Sequence, residues 1–260
     1  MRTAWRIVAL VLSFSLPCTG TLVLFQWTPQ KILLAADSLS LKVTNTGITS
    51  ATECKIHQEG DIFFTIVGIN DDPAAKVDLV AIASRAARQP GDFATKVYSF
   101  TNLAALPIRD LWLYAVQKQF LLSKLATETN GVSTITVIFV SRREHAVAVK
   151  EYTGRLDGSM SEAPAVFHGR ATGMRTDNNF VTVGVSTDAA AAASRDPNLS
   201  HLDGIPFITS FFQVQIAREQ QRLYRHDTPR VGAPVCILEV SGGRAQWTPG
   251  QQGPCPDIRR

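Results

Sequence analysis

Apolar runs of strand length come in antiparallel-type pairs near the start, middle and end of this chain, and helical patterns fall between them in blocks. Leu22 to Phe25 and Lys31 to Ala36 flank Gln26 to Gln30, which contains Pro29. They read as two antiparallel strands with a short connection. Leu41 to Thr46 alternates weakly around Asn45-Thr46-Gly47. Cys54 to His57 then leads through Gln58-Glu59-Gly60-Asp61 into Ile62 to Val67. Glu59-Gly60-Asp61 signals a hairpin, because glycine takes a positive φ at no steric cost. The period changes at Asp71-Asp72-Pro73. Asp72 suits the cap of a helix and Pro73 its first turn. Ala75, Leu79, Ile82, Ala83 and Ala86 line one face until Gln89-Pro90-Gly91. Asp92 is placed to cap a second, short helix. Pro107 interrupts the pattern, and a longer helix is expected from about Ile108 to Ala126.

The strand signal returns at Ser133 to Val140 and Ala146 to Tyr152, with Arg142-Arg143-Glu144 as the turn. Phe180 to Val185 leads into Ser186-Thr187-Asp188 and an alanine-rich helix to Ala193. A further helix, about 18 residues long, follows Pro206, and the last strands are Ala233 to Val240 and Ala245 to Trp247 around Gly242-Gly243. The tail from Thr248 to Arg260, rich in Pro, Gly and Gln, is expected to be loose. Strands, helices, strands, helices, strands is not the regular alternation of a doubly wound sheet. The expected class is α+β: two central sheets with helices on their outer faces, a four-layer αββα sandwich that buries every apolar face. One domain over residues 21–247 accounts for it.

Before that domain stands a leader. Arg2 and Arg6 precede the apolar run Ile7 to Leu16. Pro17 follows, with Cys18 and Gly20 at the −3 and −1 places of an export cleavage site. The run falls short of the roughly 20 residues of a membrane span, so no stable span is expected. Leu16-Pro17-Cys18 fits a lipid-attachment site poorly, because proline stands where a small residue belongs. The reading is an exported protein, periplasmic or extracellular. The whole chain carries a formal charge of +4, and removing Arg2 and Arg6 leaves +2. That near-neutral balance, with basic residues scattered, excludes a nucleic-acid partner. After cleavage Cys54, Cys236 and Cys255 remain, an odd number that leaves room for one pair. No cysteine pair has zinc spacing, the histidines form no local metal motif, and neither metal nor cofactor is implied.

Cutting after Gly20 leaves Thr21 with a free α-amine, so one residue holds a hydroxyl nucleophile and a base. Thr21-Leu22-Val23-Leu24, the longer Ile32-Leu33-Leu34-Ala35-Ala36-Asp37-Ser38, Lys55-Ile56, a strand ending in Gly68, two helical regions, and Asp227 before Val231-Gly232-Ala233-Pro234-Val235 together carry a resemblance. Over roughly residues 21 to 245 the chain resembles the proteasome β-subunit family within the N-terminal-nucleophile hydrolases. The resemblance implies that family's sandwich and places Thr21 as the nucleophile. Lys55 matches the lysine that keeps the amine neutral and stabilises the alkoxide, and Asp37 the aspartate that orients the lysine. Gly68 matches the glycine whose amide faces the oxyanion, and Asp227 a carboxylate near the terminal amine. The family's serine within Gly-Ser-Gly meets Gly184-Val185-Ser186 here, so Ser186 holds that role only if shifted by one residue. Val231-Gly232 also replaces a Gly-Gly pair.

The implied function is hydrolysis of amide bonds in a peptide or small amide substrate by a threonine-type peptidase. The competing reading is a non-catalytic structural or interaction protein of the same fold, to which valine at the serine position points. Self-association into a homo-oligomer is expected from the broadly apolar helical faces of Ala75 to Ala86 and Leu111 to Leu125. The insertion from Gly154 to Asn179 is expected to be a long loop standing against ring stacking.

Overall fold

The computed structural model describes residues 17–18, 21–44, 47–68, 71–72, 76–117, 132–155, 157–169, 180–184, 196, 199, 202–223 and 231–259. Strands β1 (Pro17–Cys18), β2 (Leu22–Trp27), β3 (Lys31–Asp37), β4 (Leu39–Thr44) and β5 (Gly47–Thr52) open the chain. β2 and β3 pair antiparallel, with Trp27 opposite Ile32. The first strand therefore runs two residues past its apolar run, through Gln26 and Trp27. Both are buried: the Trp27 ring sits in the core, and Gln26 Nε2 donates to Asp203 Oδ1 at 2.9 Å. β6 (His57–Glu59) and β7 (Ile62–Val67) form the expected hairpin, and Gly60 turns it at φ 62°.

Strands β8 (Asp71–Asp72) and β9 (Val77–Asp78) pair with each other, so Asp72 belongs to a strand and the first helix starts later than expected. Helix α1 spans Leu79–Ala87, and Asp78 caps it by accepting from the Ala81 amide. The two aspartates lie six positions apart in the sequence. Both satisfy the local capping rule, and only tertiary pairing chooses between them. Helix α2 (Phe93–Gln117) is continuous through Pro107. Asp92 Oδ1 accepts from the Thr95 amide at its start. A proline inside a helix costs about 3 kcal/mol. Here Phe93, Val97, Phe100, Ala104, Ile108 and Leu111 form one fully buried stripe on both sides of it. Each such side chain taken out of water contributes about 1.5–3 kcal/mol, somewhat less for alanine, so packing outweighs the proline. The anticipated break is absent, and the part of the expected helix beyond Gln117 lies outside the described residues.

Strands β10 (Val132–Ser141) and β11 (Ala146–Arg155) pair over their whole length. Within the expected long loop, β12 (Met160–Glu162) and β13 (Val166–His168) return to pair with β11. This insertion is thus sheet over much of its described part. After β14 (Phe180–Gly184) come helix α3 (Gly204–Leu223), which starts two residues before Pro206, and strands β15 (Val235–Ser241) and β16 (Arg244–Trp247). The front sheet has the order β14-β2-β3-β15-β16; the back sheet runs β12-β11-β10-β7-β6, with β13 also on β11.

Side-chain parity then divides the core. On β2 and β3, Val23, Phe25, Trp27, Ile32, Leu34 and Ala36 pack with Phe63, Val67, Ile138, Val140 and Val147 of the back sheet. The alternate residues Leu22, Leu24, Leu33 and Ala35 pack with Ile208, Phe211 and Phe212 of α3. On the back sheet Ile62, Phe64, Val137 and Phe139 pack with α1 and α2. Both faces of the central strands are therefore dry, which explains apolar runs without polar alternation. The fold is mixed helix and sheet. Tyr98, Leu106 and Leu113 of α2 remain exposed. Among the described residues no helix is long and apolar enough to cross a membrane.

The C-terminal tail, expected to be loose, is bound to the domain. Cys255 forms a disulfide with Cys54, 201 positions away. The Ile237 amide donates to Gln251 O at 2.8 Å, and Gln58 exchanges hydrogen bonds with the Arg259 backbone. Composition missed this because a covalent cross-link fixes a segment that has little apolar surface of its own. Replacing Cys255 by serine removes the link and should lower stability by about 2–4 kcal/mol. A urea midpoint unchanged from the parent would show that the tail contributes nothing.

Candidate functional site

The site is built where the front sheet's inner strands meet the loop that precedes β15. Asp37 ends β3, with a side chain wholly removed from solvent. An ionised group in such a place needs donors on every lone pair. The fold supplies four. The Leu22 amide donates to Oδ1 at 2.8 Å, and the Leu39 and Gly232 amides donate to Oδ2 at 3.2 and 3.3 Å. Lys55 Nζ reaches both oxygens at 3.1 Å.

Each donor arrives by a different structural route. Leu22 is the first residue of β2, held beside β3 through the Val23–Ala36 pair. Leu39 opens β4 directly after the Asp37-Ser38 corner. Gly232 lies in the segment leading into β15, which pairs with β3 through Val235 and Asp37. A Cβ on Gly232 would stand 2.9 Å from Leu39 Cβ, so glycine lets this loop approach closely. Ser38 locks the same corner: its amide and hydroxyl both donate to Pro234 O, at 3.0 and 2.6 Å. Lys55 comes from the segment between β5 and β6, anchored by the Glu53 amide on Ser38 O at 2.9 Å.

Burial pushes the Asp37 carboxyl above the ordinary carboxylate range, while the Lys55 charge and the amides of Leu22 and Gly232 pull it back. Burial likewise lowers Lys55, opposed by Asp37 and more weakly by Glu53. All four groups aimed at Asp37 are N–H donors. A carboxylate satisfies them, whereas a carboxylic acid would turn a proton toward one, so these contacts favour the charged pair against the cost of burial.

Thr21, the residue before Leu22, is 8% exposed. It is one peptide unit from the amide bonded to the carboxylate oxygen that Lys55 also reaches. Before Thr21, β1 lies on β4, with Cys18 opposite Leu41. Gly68 directly follows β7 at φ 105°, and a Cβ there would stand 2.7 Å from Thr134 O. Backbone conformation and close approach both require glycine at this point. Ser186 and Asp227 lie outside the described residues, as does Val185. The structure thus joins Asp37 to Lys55 and to the peptide following Thr21. It adds Leu39, Gly232 and Ser38, which the sequence reading did not assign to the site. Gly232 was legible as the departure from a Gly-Gly pair; backbone donors at Leu22 and Leu39 leave no residue-type signal. Among the described residues no cluster of three or more His, Cys, Asp or Glu could hold a metal ion.

No protein-family description matches the chain, and no curated protein matches its sequence. Among solved structures, an Anbu mutant from Hyphomicrobium sp. strain MC1 aligns at 13% identity and a TM-score of 0.44, covering 91% of this chain and 89% of that one. Anbu from the same organism aligns at 15% identity and a TM-score of 0.38, covering 87% and 86%. Anbu from Yersinia bercovieri, described as an ancestral beta-subunit, aligns at 13% identity and a TM-score of 0.36, covering 85% and 81%.

Removing one member of a buried ion pair strands the other, which typically destabilises a protein by about 3–5 kcal/mol. Asp37→Asn should fall in that range. The double variant Asp37→Asn/Lys55→Met should recover part of the loss, because it also removes the stranded ammonium. Urea denaturation reads both, and a double variant no more stable than Asp37→Asn would show that the pair is not coupled.

Proposed function

We propose that this chain is an N-terminal-threonine hydrolase of amide bonds, most simply a peptidase, with the four-layer αββα architecture of N-terminal-nucleophile hydrolases. Its nucleophile is exposed when an export leader is removed after Gly20. The observation that carries the reading is the fourfold-bonded Asp37 carboxylate, which holds Lys55 and the Leu22 amide together one residue from Thr21. A terminal threonine needs a nearby fixed positive charge more than it needs any particular pocket, and this arrangement supports one.

Once free, the Thr21 amine takes the hydroxyl proton as Oγ1 attacks the substrate carbonyl. An ester to Thr21 forms, and the amide C–N bond breaks with the proton passing to the leaving amine. Water then cleaves the ester and restores the hydroxyl. The positive charge on Lys55 disfavours protonation of the neighbouring amine and stabilises the developing negative charge. Asp37 holds that charge in place and touches no substrate. A serine at 21 retains the chemistry; a valine, of nearly the same shape as threonine, removes it.

A second reading, a non-catalytic interaction protein, is favoured by a different observation. In the uncut chain Pro17–Cys18 lies paired on β4, with Thr21 almost covered. A chain that keeps this strand has an acylated Thr21 nitrogen and no terminal base. The two readings separate on the exported protein. N-terminal sequencing should begin at Thr21, and an electrophile that captures terminal threonine should add to that residue. Hydrolysis of a mixed peptide library should fall by at least about 10³-fold in Thr21→Val, the scale of losing the nucleophile while the terminal amine remains. A mature chain that begins elsewhere, or equal hydrolysis by the two proteins, would leave the non-catalytic reading standing.

A further inference from the structure

Three sulfurs meet behind the candidate site, and the ionic chemistry above uses none of them. Cys54 and Cys255 are joined. Cys236, on the face of β15 that looks between the two sheets, is a buried free thiol whose Sγ lies 3.2 Å from Cys255 Sγ. A core cysteine acting as a small apolar residue needs no such neighbour, and a structural disulfide needs no third sulfur in contact. We propose that Cys54, Cys255 and Cys236 form an exchangeable thiol–disulfide centre in which the bond moves from Cys54–Cys255 to Cys236–Cys255 and releases Cys54.

The step is balanced within the protein. Cys236 Sγ gives up its proton and bonds to Cys255 Sγ. The Cys54–Cys255 bond breaks, its electron pair leaves on Cys54 Sγ, and that sulfur takes a proton. One disulfide and one thiol stand on each side, so no outside oxidant or reductant is consumed. Burial holds the Cys236 thiol protonated, with the nearby Ser38 hydroxyl pulling the other way, and this keeps the resting bond at Cys54. Cys236 and Cys255 are almost inaccessible, whereas Cys54 is half-buried. Exchange therefore moves the bond inward and delivers a thiol toward solvent.

The centre is wired to the ion pair from both sides. Cys54 directly precedes Lys55, in a segment that belongs to no strand. Cys236 pairs with Ala36, the residue before Asp37, and its Sγ lies 3.4 Å from Ser38 Oγ, the residue after it. Releasing Cys54 removes the covalent tie beside Lys55. Resting on the threonine-hydrolase reading, the released form has lower turnover, because Lys55 is less firmly held.

N-Ethylmaleimide tests the exchange on the folded, processed full chain, by trapping Cys54 each time it is released. After acid quenching, non-reducing peptide mapping should show loss of the Cys54–Cys255 peptide. It should also show matching gain of maleimide on Cys54 and of a Cys236–Cys255 peptide. Cys236→Ser, in which the attacking sulfur is absent, should keep the original peptide throughout. The inference is overturned if the two proteins map alike, or if maleimide labels Cys236 while Cys54–Cys255 stays intact. Cys54→Ser gives an independent arm: air-oxidised protein should contain Cys236–Cys255, and two alkylatable thiols would count against exchange. Peptide hydrolysis, measured as Cys54 labelling proceeds, should fall in step with it. Unchanged turnover in labelled protein would overturn the link to Lys55. A protein without hydrolysis at any stage would overturn the threonine reading and leave the mapped exchange intact.

Discussion

A single carboxylate, Asp37, organises the region where the strands of the front sheet meet. Its two oxygens collect the Leu22, Leu39 and Gly232 amides and the Lys55 ammonium. Removing such a group from water costs several kcal/mol, and each hydrogen bond to it returns about 1.5–3 kcal/mol. The charge is therefore tolerable only if all its donors arrive together. That condition links the start of β2, the end of β3, the start of β4, the loop before β15 and the segment after β5. None of these can shift alone without stranding a buried charge. A site assembled in this way is held by several elements at once, and no single loop carries it.

The surrounding packing lets so polar a knot exist. β2, β3, β7 and β10 are dry on both faces because one set of side chains meets the opposite sheet and the other meets helices. The dry interior strengthens electrostatic interactions at the pair and keeps competing water from the carboxylate. It also encloses the sulfur cluster. The Cys54–Cys255 bond draws the C-terminal tail against the segment that carries Lys55, and so links the chain's last residues to the candidate site. The tail covers the edge of the inter-sheet core, where Ile258 packs at its margin.

The parts of this arrangement legible in the sequence were those written in local chemistry. Apolar runs located β2, β3, β7, β10 and β11. Gly60 and Gly242-Gly243 marked turns by their freedom to adopt positive φ, and each has it. Local chemistry alone points to the wrong helix cap. Asp72 before Pro73 is the cap expected from the sequence, but it pairs in the β8–β9 ribbon and Asp78 caps the helix. Pro107 signals a break because its intrinsic cost is visible in the sequence. The buried stripe from Phe93 to Leu111 that outweighs it is assembled only by the back sheet.

The resemblance to the proteasome β-subunit family, and not residue type, singled out Asp37 and Lys55, because an aspartate closing a strand and a lysine near a strand start are by themselves ordinary surface features. The sequence also determined the blocks of strand and helix, the near-neutral charge and the presence of a threonine shortly after the apolar run Ile7 to Leu16. Tertiary structure decided how those groups meet. Backbone amides have no sequence signature, so the donors at Leu22, Leu39 and Gly232 appear only once the sheet is assembled. Disulfide connectivity likewise depends on distance in space: Cys54, Cys236 and Cys255 permit three pairings among themselves, and folding brings the tail back to choose Cys54–Cys255 while leaving Cys236 in contact. Local propensities act over a few residues, whereas burial, ion pairing and cross-linking join segments up to 201 positions apart.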